Sequence, residues 1–204
     1  AGGTLGTEIG AKAPPDGYTL TLGSTGTLST APPLYPRLGY DPVKDFAMTS
    51  LVNNVPLVLE MHPSIPAKTV KEFIALAKTR PGKITMGSSG AGTTNHLSGE
   101  LFQSATGTKF IHIPYKGSGP GLIDLMGGQI DIFFDQLSAS IGYIQTGRLR
   151  ALTVTTIKRA SAMPELPTIA ESGIPGFDSS TWTAVIMPAA TPQVLARLGA
   201  AAGE

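Results

Sequence analysis

The sequence predicts an α/β fold built on a largely parallel, doubly wound sheet. Two observations carry the prediction. Strand-like runs and helix-period runs alternate four times along the chain, the pattern of repeated strand–helix–strand units. The strands also end repeatedly in Gly/Ser/Thr-rich loops that enter helices, the place where ligands sit in such sheets. An apolar fraction of 41% is ample for a packed core.

The elements follow in order. TLTLGS (Thr19–Ser24) is a strand closed by a Gly-Ser-Thr-Gly turn, and SLVNNVPLVLEMH (Ser50–His62) is long, β-rich and extended. TVKEFIALAK is a helix, with Thr69 and Glu72 at capping-box spacing and Val70, Phe73, Ile74 and Ala77 on one face. Arg80-Pro81-Gly82 ends it. KITMGSS is a strand, and the next helix places Leu97, Leu101 and Ala105 on one face. FIHIPY (Phe110–Tyr115) is a strand. Gly119-Pro120 opens a helix through Leu122, Ile123 and Met126, with proline in the tolerated first turn. QIDIFFD (Gln129–Asp135), a helix from about Ser138 to Thr146 and the strand LRALTV complete the alternation. Beyond Pro164 the chain is loop-rich, with a strand near TAVIMP and a capped helix starting at Thr191-Pro192.

Composition excludes several classes of function. The net charge of +1 gives no electrostatic footprint for nucleic acid. With Cys 0 there is no thiol catalysis, Cys-ligated zinc or disulfide. No run of ~18 apolar residues spans a membrane. The opening AGGTLGTEIG has no basic n-region or apolar h-region, so no signal peptide is read in this chain. His62, His96 and His112 lack metal-ligand spacing, and no cofactor loop is matched.

Four strand ends carry the same chemistry: GSTGT after Leu22, GSSGAGTT after Met86, YKGSGPG after Pro114 and FDQLSAS after Phe133. GSSGAGTTNHLSGELF (Gly87–Phe102) is not a nucleotide loop, because Thr93 stands where the P-loop lysine belongs. Nor is it a nucleophile elbow, because Gly87-Ser88-Ser89-Gly90-Ala91 lacks the final glycine. What such loops do offer is helix N-terminal N–H groups, so Gly90, Gly92, Thr93 and Thr94 suit a carboxylate without any full positive charge. The competing reading is structural: Gly/Ser/Thr loops also serve as turns and N-caps.

Single residues divide the same way. His96, in the first turn of its helix, either donates to a bound anion or packs as a neutral side chain. His112, inside an apolar strand, reads as structural. Asp135 either meets a ligand's amino or hydroxyl group or caps the next helix with Ser138. Tyr115 is a candidate pocket wall, Lys116 is solvated, and Trp182 reads as packing. No pair of carboxylates is spaced for acid–base work, so nothing in the chain reads as catalytic.

The motifs also resemble a family. PDGYTLTLGSTGTL (Pro15–Leu28), YPRLGYDPVKDF (Tyr35–Phe46), HPSIPAKTVKEFIALAKTRPGKI (His62–Ile84) and GSSGAGTTNHLSGELF come first. HIPYKGSGPGLIDLMGGQIDIFFD (His112–Asp135), GRLRALTVT (Gly147–Thr155) and LPTIAESGIPGF (Leu166–Phe177) follow in the same order. Together they resemble the Bug-type receptors of tripartite tricarboxylate transporters over nearly the whole chain. The resemblance implies a periplasmic-binding-protein fold of the type II, Venus-flytrap kind, with two doubly wound domains closing on a small carboxylated solute in an interdomain cleft. It implies a non-enzymatic periplasmic receptor that needs no cofactor or metal and delivers a di- or tricarboxylate, or a related acid, to membrane components of the transporter.

Position by position, the resemblance assigns ligand contacts to Ser24, Thr25, Ser88, Gly90, Gly92, Thr93, His96, Tyr115, Gly117, Ser118 and Asp135. The expected domains are 1–54 with 180–204, incomplete, and 55–179, hinged at the extended segments 53–58 and 179–185. Family members usually carry a signal peptide, a strand, a Pro/Gly-rich loop that contacts ligand, a helix and a second strand before the AGG that opens this chain. Helices usually also follow the Arg197 region. Without that first strand a sheet edge would be left unpaired, which invites association with another chain. Two alternatives stand beside the receptor: an α/β enzyme using His96 or Asp135 as base, and a truncated remnant that no longer binds.

Overall fold

Residues 3–192 are described by the computed structural model, and the helix expected from Thr191-Pro192 onward, like the region after Arg197, lies outside them. The chain divides into two compact units, Ala1–Asn54 with Thr181–Glu204, and Val55–Ser180.

The first unit starts with α1 (Thr4–Ala11) and β1 (Thr21–Ser24). The turn expected after β1 is instead a π-helical segment, Thr25–Thr30, running into the short α2 (Ala31–Leu34). Ser24 and Thr27 close a capping box there: Thr27 N–H donates to Ser24 Oγ at 3.4 Å and Ser24 N–H to Thr27 Oγ1 at 3.0 Å. β1 pairs antiparallel with β7 (Ser180–Pro188), Thr21 facing Ile186 and Ser24 facing Thr183. Leu28, Tyr40, Phe46 and Ile186 form the core, with Trp182 packed against them.

The second unit holds the end of β2 (Phe46–Met61) from Val55 onward, followed by α3 (Val70–Thr79), β3 (Ile84–Ser88), α4 (Thr94–Thr106) and β4 (Phe110–Pro114). Then come α5 (Ser118–Met126), β5 (Ile132–Gln136), α6 (Leu137–Gln145) and β6 (Arg150–Val154). β3 runs parallel to β4 and to β5. The sheet is nevertheless mixed rather than largely parallel, because β2 lies antiparallel between β5 and β6. The reason is topological. β5 and β6, joined through α6, run the same way but leave one strand's width between them, and β2 fills it.

The two faces of this sheet have separate cores. Leu57, Leu59, Met61, Met86, Ile132 and Phe134 pack with Phe73 of α3 and Phe102 of α4. On the other face, Val58 and Val154 pack with Leu137, and Phe133 packs with Leu122 and Leu125 of α5. Half of the capping-box expectation for α3 is met: Glu72 N–H donates to Thr69 Oγ1 at 3.1 Å, but the Glu72 carboxylate reaches past Thr69 to accept from Lys68 N–H at 2.7 Å, and Val70, Phe73 and Ala77 are buried.

The α4 face differs from the Leu97–Leu101–Ala105 expectation. Leu101 is 44% exposed, and Asn95, Ser98, Gly99, Phe102 and Thr106 face inward. A Cβ on Gly99 would lie 2.1 Å from Met86 Sδ, so the bare glycine is what lets α4 seat against β3. The polar residues on that face are tolerated because Asn95 and Ser98 are hydrogen-bonded, to Asp135 and Ser179.

Candidate functional site

Three loops of the second unit meet at the carboxyl ends of β3, β4 and β5, the end of an α/β sheet where ligands bind. The first runs from Ser88 into α4. Gly90 (φ 140°) and Gly92 (φ 77°) take conformations that a side chain disfavours. Thr93 Oγ1 donates to Gly90 O at 2.7 Å and latches the loop, while Gly92 N–H donates to His96 Nδ1 at 3.2 Å. His96 is therefore protonated on Nε2, which lies 3.6 Å from Glu100 Oε1. Its ring stacks on His112 with centroids 3.9 Å apart. Burial, followed by the His96 ring, holds the His112 imidazole below its ordinary value, with Glu100 opposing.

Ser88 is wholly buried, and its hydroxyl is taken up by Gly90 O at 3.1 Å, Gly90 N–H at 3.2 Å and His112 Nε2 at 2.7 Å. A nucleophile needs reach to a substrate, and this hydroxyl has none. Its work is to hold the loop.

The second loop is tied to the first through the backbone: Tyr115 N–H donates to Ser88 O at 2.9 Å and Gly117 N–H to Ser89 O at 3.2 Å. Gly117 (φ 115°) is the N-cap of α5, which starts at Ser118, ahead of the expected Gly119-Pro120. The Tyr115 hydroxyl donates to Asp124 Oδ2 at 2.7 Å. Burial, followed by Asp124, pushes that phenol up to about 12.

Asp135 joins the loops. Its Oδ1 accepts from Asn95 Nδ2 at 2.8 Å and from Ser118 Oγ at 2.6 Å, so one carboxylate oxygen ties the first turns of α4 and α5 together. Asn95 in turn accepts from Ser89 Oγ at 2.7 Å. Burial pushes the Asp135 carboxyl up, opposed by Ser118, the Gln136 backbone and Asn95. The expected cap on α6 does not form. That helix begins at Leu137 with Gln136 as N-cap and no side-chain cap, because Asp135 points to the other two helices.

The structure thus brings together Ser88, Gly90, Gly92, Thr93, His96, Gly117, Ser118 and Asp135, with Tyr115 beside them. Ser24 and Thr25 belong to the first unit, where the capping alternative is realised: Ser24 caps the π-helical segment and Thr25 Oγ1 accepts from Trp182 N–H at 2.9 Å. Asn95 and Glu60 were not singled out from the sequence. A lone acid inside VPLVLEMH was the available signal for Glu60, since a charge in a buried strand needs a reason. Both Glu60 oxygens are buried without a hydrogen-bond partner. Burial, followed by the charge of Asp135, pushes the carboxyl well above its ordinary value, and the Ser140 hydroxyl opposes this.

Asp135 Oδ1 ties two helix N-termini together, and helix N-termini hold anions through N–H groups and helix dipoles. Among the described residues no helix is long and apolar enough to cross a membrane.

Comparison with known proteins points the same way. A family model described as "Tripartite tricarboxylate transporter family receptor" matches residues 1–203. Protein BugT of Bordetella pertussis is 39% identical over 200 residues, covering 97% of this chain and 61% of its own. A solved structure of R. palustris Rpa4515 with adipate superposes with TM-score 0.93 at 39% identity, covering 95% of this chain and 65% of that one. MatC (Rpa3494) from Rhodopseudomonas palustris with bound malate gives TM-score 0.91 at 30% identity, covering 100% and 70%. The chain therefore spans 55% to 61% of the length of the first three curated relatives, at 55%, 61% and 60%.

Proposed function

Because the chain belongs to the tripartite tricarboxylate transporter receptor family, we propose that it captures a small carboxylate in the periplasm and presents it to the membrane components of such a transporter. It binds and releases its solute unchanged. The observation that carries this reading is the Asp135 brace, which orients the first turns of α4 and α5 through Asn95 and Ser118. Ligand contacts then come from the loop of Gly90, Gly92 and Thr93, which Ser88 holds in shape, from His96, and from Gly117 and Ser118 with Tyr115 alongside. Adipate and malate in two structural relatives make small dicarboxylates the first solutes to try.

The test is a thermal-melt screen of protein stripped of co-purified solute, against mono-, di- and tricarboxylates and amino acids. An acid at a hundred times its dissociation constant stabilises the folded state by about 2.7 kcal/mol. Thr93→Val removes the latch on Gly90 and is expected to abolish the shift. A cooperatively folded protein that shifts with no acid would overturn the reading.

A further inference from the structure

Two acids are buried side by side behind these loops. In the antiparallel pairing of β2 with β5, Val58 faces Asp135 and Glu60 faces Phe133. Glu60 and Asp135 are therefore diagonal neighbours on one face of the sheet. Both are wholly inaccessible. Three of their four carboxyl oxygens, both of Glu60 and Oδ2 of Asp135, have no hydrogen-bond partner.

Among the described residues no cation pairs with them. Arg150 pairs in register with Met61, on the opposite face, and spends its guanidinium on the carbonyls of Ile65 and Ala67 at 2.8 and 3.2 Å. The titratable groups on the packed helices are engaged elsewhere: His96 with Glu100 on α4, Asp124 with Tyr115 at α5, and Tyr143 of α6 under Arg148. β4 carries His112, held by Ser88. Around Glu60 itself stand Asp135, Ser140 of α6 and the β6 residue Ala151 opposite it.

Two carboxylates sharing a dry site do not both ionise. Donors decide which one does. Asp135 has two on Oδ1, whereas Glu60 has only the Ser140 hydroxyl nearby. We infer that Glu60 is a positioning residue: it keeps its proton at neutral pH so that Asp135 alone carries the charge that aligns Asn95 and Ser118. Resting on the carboxylate reading above, the pair also makes capture proton-linked. A negative solute arriving in front of Asp135 raises the proton affinity of the pair, so above neutrality, where free Glu60 begins to give up its proton, binding takes that proton back from the buffer and tightens as pH falls through that range.

The pair is tested first without any solute, by infrared spectroscopy of the carboxyl region. A protonated carboxylic acid band is expected at neutral pH, absent from Glu60→Gln. Asp135→Asn keeps the band but shifts its titration midpoint to lower pH, since the neighbouring charge is gone. A folded protein with no such band at neutral pH, or a band that survives Glu60→Gln, would overturn the assignment. Should Glu60→Gln fail to fold, Glu60→Met removes the acid at similar volume and gives the same readout.

Binding is tested with adipate as the probe, by calorimetry in buffers of different ionisation heat. Wild type is expected to take up protons above neutrality, with the uptake fading toward neutral pH, and to bind more tightly as pH falls through that range, and Glu60→Gln to lose most of the uptake. Adipate binding with no proton uptake overturns the link. If no carboxylate binds while the infrared titration behaves as expected, the functional reading falls together with the link, and the charge assignment stands.

Discussion

Asn95 and Ser118, on different helices, donate to the same oxygen of Asp135, at 2.8 and 2.6 Å. That shared acceptor fixes the spacing of two helix N-termini more tightly than either loop could on its own. A hydrogen bond to a charged group contributes about 1.5–3 kcal/mol. Asn95→Ala is expected to lower stability by about that amount, read by calorimetric melting, and to weaken carboxylate binding by about tenfold or more. Ser118→Ala should reproduce the binding loss with a smaller change in melting temperature, since its hydroxyl is only part-buried. Unchanged binding in both variants would remove the brace from the site.

The seat of α4 on β3 depends on Gly99. With Met86 Sδ and Cε at 2.1 and 2.6 Å from an added Cβ, Gly99→Ala must displace either Met86 or the helix. Overpacking of this kind costs about 1–3 kcal/mol. Chemical denaturation should show the loss with an unchanged m-value. Gly99→Ala with Met86→Ala should recover part of it.

Acid weakens the fold through His112. Its folded-state pKa is depressed, so the unfolded chain binds more protons below about 6.5. Stability is therefore lost as pH falls from the unfolded value, 6.5, toward the lower folded one. His112→Phe, which keeps the stack on His96, should flatten melting temperature across that window. A wild-type profile with no acid-side loss there would contradict the assignment.

Glu60 acts with the opposite sign. Its folded pKa lies well above the ordinary 4.5. The folded state thus holds a proton that the unfolded state gives up above that value, and stability declines as pH rises through the window up to the folded pKa. Glu60→Gln should remove most of this decline, leaving the part that the raised Asp135 carboxyl contributes and the His112 effect in place. Melting temperatures across a pH series on both variants separate the two.

The sequence made the α/β class, the cap of α3 and the three loops readable because each rests on neighbours in the chain: Thr69 with Glu72, Gly90 with Thr93, and glycines where φ is positive. Periodicity placed the right helix at 94–106 but chose its face wrongly. It weighed Leu101 by hydrophobicity and could not see that Asp135 and Ser179 make Asn95 and Ser98 cheap to bury. The direction of β2 was also hidden, since alternation of strand and helix says nothing about a strand slotted in from outside the alternation. Asp135 looked like a local cap because its partners lie 40 and 17 residues away.

The slot that β2 fills has a further consequence, in the order of assembly. Leu57–Met61 pair with Ile132–Gln136 and with Arg150–Val154, so the strand at the centre of this part of the sheet leaves the ribosome long before either neighbour. Until both arrive, its apolar residues and backbone polar groups stay unpartnered. Closing loops of that length is slow, and the waiting strand is open to wrong partners. The step that limits refolding of this unit is then the capture of Leu57–Met61, and slips in its register are the misfolding to expect.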